Sequence, residues 1–288
     1  MIALIPAFFT IAAAIPVDTC GSATLLLAYA HNDYRNPRPL LDAVSLGYRG
    51  VEADVFRVGQ DLLVGHDRDE TQSRKTLTRL YLAPLLDRAR SCGYIQPDST
   101  PFLLNIELKE RDPTAFRLLV RLLRPYEELL TATTRPLVQV TLVGWWPDTV
   151  ADSSAWPEYL RVHVPIDGHN SGAQPRWRVG LVSLDYEKVL RWSGRGPVSP
   201  AAIDAIAEAR RVAGAYRVPI RVHHAPAQRR IYEWLVAEGV TLIGSGNLMR
   251  DRELLLELNG QPSRVTPRRR RPGPSSSFPA LPVPSSGG

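Results

Sequence analysis

GVEADVF, residues 50–56, decides how this chain is read. A strand repeats every two residues, so Glu52 and Asp54 share one face while Val51, Ala53 and Val55 share the other. Working outward, LLLAYAHND at 25–33 carries His31, LLVGHD at 62–67 carries His66, and FLLNIELK at 102–109 carries Glu107 and Lys109. In each, an apolar run rich in Leu, Val or Ile stops at a polar residue. That pattern reads as a buried strand delivering a side chain to a mouth, and in an α/β barrel the catalytic groups occupy the C-terminal rim.

The pattern continues along the chain. Strand-like runs at 25–31, 49–56, 101–107, 136–143, 159–166, 179–185, 219–224 and 240–245 alternate with helical patterns at 39–47, 76–93, 113–131, 199–216, 227–238 and 249–258. The links at 145–158 and 168–178 are less regular. This alternation predicts an α/β fold, a (β/α)8 TIM barrel. A doubly wound sheet also alternates, but it wants a glycine-rich phosphate turn after its first strand. Here that turn is His31-Asn32-Asp33-Tyr34, which favours the barrel. Ser199 before Pro200 reads as a helix N-cap, and Pro37 and Pro39 as the entry to the first helix.

The formal charge is +6, but Arg264 and Arg268 to Arg271 lie in an acid-free stretch at 261–288; without these five the balance is 30 basic against 29 acidic residues. The remainder is close to neutral, which argues against a nucleic-acid-binding domain, since that would carry its charge on a face or helix. The stretch 261–288 is Pro, Ser, Arg and Gly and reads as a disordered tail, at most in weak contact with anionic surfaces. Residues 1–23 form an apolar leader, read as a signal peptide with Gly21-Ser22-Ala23 as its small-residue cleavage site. The barrel then spans 24–260. Cleavage would make the protein secreted or periplasmic; a retained leader packing across the barrel bottom would leave it cytoplasmic. Cys20 and Cys92 are too few for a disulfide framework or a cysteine zinc site.

The chemistry follows from the acids. Glu52 and Asp54, side by side, raise each other's pKa unless a cation sits between them. A hard divalent ion with oxygen ligands, Mg²⁺ or Ca²⁺, resolves the repulsion, with Glu107 as third ligand. Lys109 is placed to meet a phosphate oxygen. The competing reading is a rim salt-bridge network of Glu52, Asp54, Glu107, Lys109 and Arg57. His31 and His66 suit a general acid–base pair, since two imidazoles titrating near neutrality can take one proton and give another. His163, His169, His223 and His224 read as polar rim residues, and Trp145, Trp146, Trp177 and Trp192 as pocket lining or barrel cover.

HNDY at 31–34, VEADVF at 51–56, VGHD at 64–67 and NIELK at 105–109 resemble the PLC-like phosphodiesterase barrels, the superfamily of glycerophosphodiester phosphodiesterases. AHNDY and PLLDAVSLGYRGVEADV look closest to the branch named for altered inheritance of mitochondria protein 6. The resemblance implies a phosphoric diester hydrolase with His31 and His66 as the catalytic pair and Glu52, Asp54 and Glu107 holding the cation. Asn32 and Lys109 would bind substrate, a small-molecule or lipid phosphodiester. Family enzymes follow the first histidine with Arg-Gly and end the last strand in Thr-Asp; Asn32-Asp33 and Ser245-Gly246 stand here. The resemblance thus carries the reaction class further than a glycerol-type substrate. Two other functions fit less well: a catalytically silent barrel binding phospholipid or phosphoinositide headgroups, and a glycosidase using Glu52 and Glu107.

Overall fold

The computed structural model describes residues 20–21, 25–98, 100–131, 136–147, 156–166 and 178–258. The expected leader up to residue 19 and the tail at 261–288, with His169 and Trp177, lie outside the described residues.

The strands are β1 (Leu25–Ala30), β2 (Tyr48–Val58), β3 (Asp61–Val64), β4 (Phe102–Leu108), β5 (Val138–Gly144), β6 (Leu160–Pro165), β7 (Val179–Asp185), β8 (Ile220–His223) and β9 (Leu242–Ser245). Eight of them pair in parallel in the order β1-β9-β8-β7-β6-β5-β4-β2, and a β1–β2 pairing closes the ring. The fold is therefore the (β/α)8 barrel that the alternation predicts.

The ninth strand corrects one expectation. β3 does not belong to the ring; it turns back antiparallel on β2 through a two-residue turn opened by Gly59 at φ +61°. Glycine at the first turn position supplies the positive φ that matches the twist of a hairpin. His66 accordingly leaves a hairpin rather than a barrel strand, and the hairpin folds it back over the mouth.

The helices are α1 (Leu41–Ser45), α2 (Ala83–Cys92), α3 (Pro113–Leu123), α4 (Glu127–Leu130), α5 (Pro200–Tyr216), α6 (Arg229–Ala237) and α7 (Leu248–Leu258). Ser199 caps α5 as expected, its side chain accepting from the Ala202 backbone N–H at 3.2 Å with Pro200 in the first turn. The entry to α1 differs from the proline reading. The helix waits until Leu41, because buried Leu40 sits at φ +63° and its N–H donates to the buried Asp33 carboxylate at 2.6 Å. The Asp33 carboxyl group thus accepts at that boundary, one residue past Pro39.

Side-chain alternation sorts the strands cleanly. Val51, Ala53 and Val55, Leu104 and Ile106, Val182 and Leu184, and Ile220 and Val222 belong to the large core shared with the helices. Most alternate positions face the ring interior, where Tyr29, Leu103, Val143, Leu181 and Leu242 form a separate small apolar cluster. On those strands the same inward rows carry polar residues toward their C-terminal ends: Glu52, Asp54, Asn105, Glu107, Thr141, His163, Ser183, Asp185, Arg221 and His223.

Cys20, just ahead of β1, is disulfide-bonded to Cys92 at the end of α2, 72 residues away. Tyr94 adds a hydrogen bond from its hydroxyl to the Cys20 carbonyl. Among the described residues no helix is long and apolar enough to cross a membrane.

Candidate active site

The inward polar rows meet in one cavity of about 340 Å³ at the C-terminal mouth, lined by His31, Asn32, Glu52, Asp54, His66 and Glu107 on one side and by Asp185, Lys188, His223 and His224 on the other. Glu52 and Asp54 share a face of β2 as expected. Register places Asp54 opposite Glu107 and Glu52 opposite Asn105 on β4. Donor atoms of Glu52, Asp54 and Glu107 lie within 4.8 Å of one another.

The three carboxylates are not equivalent. Both oxygens of Glu52 are engaged: Oε1 accepts from Arg221 Nη1 at 2.9 Å, and Oε2 is 2.7 Å from His31 Nδ1. Burial alone would raise its pKa, but the Arg221 charge and the His31 and Arg221 contacts hold Glu52 well below the usual carboxylate range. Arg221 is itself buried; it also donates to Tyr29 Oη at 3.1 Å, and Tyr29 accepts from Asn105 at 2.8 Å. The cation that relieves the Glu52–Asp54 repulsion from the Glu52 side is therefore a side chain of β8. Sequence reasoning missed it, because Arg221 is a single polar residue inside the apolar run at 219–222.

Asp54 stands differently. Its Oδ2 accepts from Tyr34 Oη at 2.9 Å and from Lys109 Nζ at 3.2 Å and lies 3.3 Å from His66 Nδ1, whereas its buried Oδ1 has no hydrogen-bond partner among the described residues. Burial and the Glu52 charge raise its pKa. Glu107 is raised by burial and by Asp54. Room for Glu107 comes from Gly144, at φ +73°, where a Cβ would come within 3.1 Å of Glu107 Cγ. An orphaned buried carboxylate oxygen beside two other acid oxygens fits a hard divalent cation.

Lys109, expected to meet a phosphate oxygen, is paired with two of the acids. Its ammonium is held by Asp54 and, at 3.5 Å, by Glu107. Burial lowers its pKa, but those two charges outweigh burial and raise it. Arg57 pairs with Asp112 at 2.6 Å and takes no part in the cluster. Asn32 is on the rim at φ +51°, its side-chain amide 2.9 Å from Tyr34 Oη. His31 and His66 thus share a design: each sets Nδ1 against one carboxylate of β2.

The later histidines divide. His163 lines the same cavity and also bridges neighbouring strands: its Nε2 accepts from Gly144 N–H and its Nδ1 is 3.0 Å from Ser183 Oγ. His223 and His224 face the cavity too, and the His31 ring packs against both, stacked on His223 at 5.6 Å and edge-on to His224 at 4.8 Å. Their partner is Asp185, which ends β7. Burial and the Arg221 charge push His223 down to about 2, so its imidazole is neutral. Asp185 was legible by the same signal as Glu107, an apolar run stopping at an acid. Trp192 covers the α5–α6 side through an edge contact with Trp234 at 5.3 Å, and Trp146 packs edge-on to His163 at 5.7 Å.

Residues 22–134, the stretch that holds every expected site residue, match the AIM6-like phosphodiesterase domain family. The altered inheritance of mitochondria protein 6 of Lachancea thermotolerans is 33% identical over 199 residues, 62% of this chain and 45% of that protein. The protein of the same name from Eremothecium gossypii is 43% identical over 63 residues, 21% of this chain and 16% of that protein. The chain thus matches less than half the length of either. A glycerophosphodiester phosphodiesterase of Parabacteroides distasonis overlays with a TM-score of 0.49 at 13% identity, covering 82% of this chain and 99% of that one. The resemblance read from AHNDY and VEADVF stands: residues 22–134 are similar to that phosphodiesterase domain.

Proposed function

We propose that this barrel is a divalent-cation-dependent phosphoric diester hydrolase with His31 and His66 as its proton-transfer pair. The observation that carries the reading is the buried, partnerless Asp54 Oδ1, grouped with Glu52 and Glu107 while one imidazole rests on each carboxylate of β2.

In each pair the carboxylate favours the proton on Nδ1, leaving Nε2 to exchange protons with the substrate. One imidazole takes the proton of the attacking oxygen at Nε2, and the other, as imidazolium, gives its Nε2 proton to the leaving oxygen. Attack by a neighbouring substrate hydroxyl instead of water forms a cyclic phosphate first. Mg²⁺ or Ca²⁺ held by Glu52, Asp54 and Glu107 supplies neutralisation of charge growing on the non-bridging oxygens. Arg221 keeps Glu52 ionised and so keeps it against His31 Nδ1. Lys109 offsets the Asp54 and Glu107 charges and is within reach of a phosphate oxygen, and Asn32 presents its amide at the rim.

Glycerophosphodiester- or phospholipid-like diesters are the proposed substrates. The Cys20–Cys92 bond supports a secreted or periplasmic location, since such bonds persist in oxidising compartments. It also moves the expected leader boundary: cleavage at Gly21-Ser22-Ala23 would delete Cys20, so we place the cut ahead of Cys20. Mass analysis of the exported chain tests this.

The function is tested by hydrolysis of bis-p-nitrophenyl phosphate with Mg²⁺, with Ca²⁺ and with chelator. Turnover lost to chelation and lost in His31→Ala is expected. Turnover that survives chelation would remove the cation. No turnover on this or on glycerophosphodiesters, with lipid-headgroup binding retained, would favour the silent binder.

A further inference from the structure

We infer that Asp185, His223 and His224 form a second metal site, selective for borderline divalent transition metals such as Zn²⁺, next to the all-oxygen carboxylate group. Topology builds it. Asp185 ends β7 and His223 ends β8, and the two are register partners on neighbouring strands. His224 follows at φ +58°, a left-handed conformation costly for a non-glycine residue, and this turns its ring back over Asp185. His224 Nδ1 stands 3.3 Å from Asp185 Oδ1, and His223 Nε2 stands 3.7 Å from Asp185 Oδ2. One donor atom from each residue lies within 4.8 Å of the other two. Around a tetrahedral zinc with bonds of about 2.0–2.1 Å, neighbouring donors are about 3.4 Å apart. The observed spacings bracket that value.

His223 supplies an independent reason. Its Nδ1 is buried with no hydrogen-bond partner, and 3.7 Å at Nε2 is too long for a hydrogen bond. Nε2, the nitrogen turned toward Asp185, thus makes no hydrogen bond to it and stays available as a donor at the cavity that His223 lines. Asp185 is prepared in the way metal carboxylates are: Oδ1 accepts from the Glu187 and Lys188 backbone N–H groups at 3.0 and 3.3 Å, which fixes its orientation.

The cations facing the cluster do not block it. Arg221 is committed to Glu52 and Tyr29. Lys188 Nζ is 3.3 Å from Asp185 Oδ2, but its side chain is 75% exposed and can withdraw to solvent when a metal takes the carboxylate. Two imidazoles and one carboxylate suit Zn²⁺, Co²⁺, Mn²⁺ or Fe²⁺, whereas Mg²⁺ and Ca²⁺ prefer oxygen alone. Both groups open on one cavity, and the His31 ring links them. The remaining coordination positions face that cavity and would take an oxygen of an anionic substrate. The site does not depend on the phosphodiesterase reading.

The test titrates Co²⁺ into the untagged, metal-stripped full chain in excess Mg²⁺, following visible ligand-field absorption. One saturable Co²⁺, displaced by Zn²⁺, is expected. His224→Ala and His223→Ala should each weaken Co²⁺ binding by about 100-fold or more, and Lys188→Ala should tighten it a few-fold. His224 is half-exposed, so its variant keeps the test decisive if His223→Ala fails to fold. Absence of saturable absorption, or absorption unchanged in His224→Ala, would overturn the site.

Discussion

The two walls of the mouth cavity solve the same electrostatic problem in opposite ways. The β1–β2–β4 wall crowds three carboxylates together and balances them with Arg221 and Lys109, leaving Asp54 Oδ1 buried with no hydrogen-bond partner among the described residues. The β7–β8 wall has a single carboxylate, Asp185, facing two imidazoles and one exposed lysine. The first wall is a hard, strongly anionic surface; the second is softer and close to neutral. His31 touches both, through Glu52 on one side and through its ring on the other. The contrast shows how one barrel mouth can offer two chemically distinct donor sets a few side chains apart, each set by which strands end in acid.

The sharpest way to break this contrast is to remove its proton-transfer groups. His31→Ala and His66→Ala should each lower kcat on a diester by about 10²–10⁴-fold with circular dichroism unchanged. Full turnover in both would move acid–base work to His224 on the opposite wall. Next in size is Arg221→Leu, which strands the buried Glu52 charge; urea unfolding should show a loss of about 3–5 kcal/mol. Lys188→Ala on the softer wall should change stability by no more than about 0.5 kcal/mol. Equal effects would mean that Glu52 does not depend on Arg221.

Replacing Cys92 by Ser opens the loop behind the carboxylate wall and should cost about 2–4 kcal/mol, read from the same unfolding curves. A further effect concerns pH. Burial raises Asp33 from 3.8 to about 7. The unfolded chain loses that proton near 3.8 while the fold keeps it, so this group makes stability fall as pH rises from about 4 to 7. Asp33→Asn should flatten that part of the profile in unfolding curves taken across it.

Much of the carboxylate wall was legible because it is local. Glu52 and Asp54 are two residues apart on one strand, so period-two geometry alone puts them on one face. Glu107 and His31 end apolar runs whose alternation with helices already implies a common rim. His66 also follows an apolar run, but that run is a hairpin strand reversed by a turn at Gly59, which period-two patterning does not mark. The other wall was harder. His223 and His224 looked like ordinary rim residues because their partner, Asp185, is nearly forty positions earlier, and Arg221 looked like a polar interruption of a strand. His163 looked like the others, and its place between Gly144 and Ser183 adds a bridging role.

Periodicity along the chain carries the alternation that closes an eight-stranded barrel, the inward face of each strand, and the acids and histidines aimed at its mouth. Pairing belongs to the folded barrel alone. Ring closure brings β8 opposite β2, and so sets Arg221 on Glu52 across 169 residues of chain and His223 beside His31. Charge energies depend on separations of a few ångströms, and in a closed barrel those separations follow from register and curvature, which no local pattern encodes.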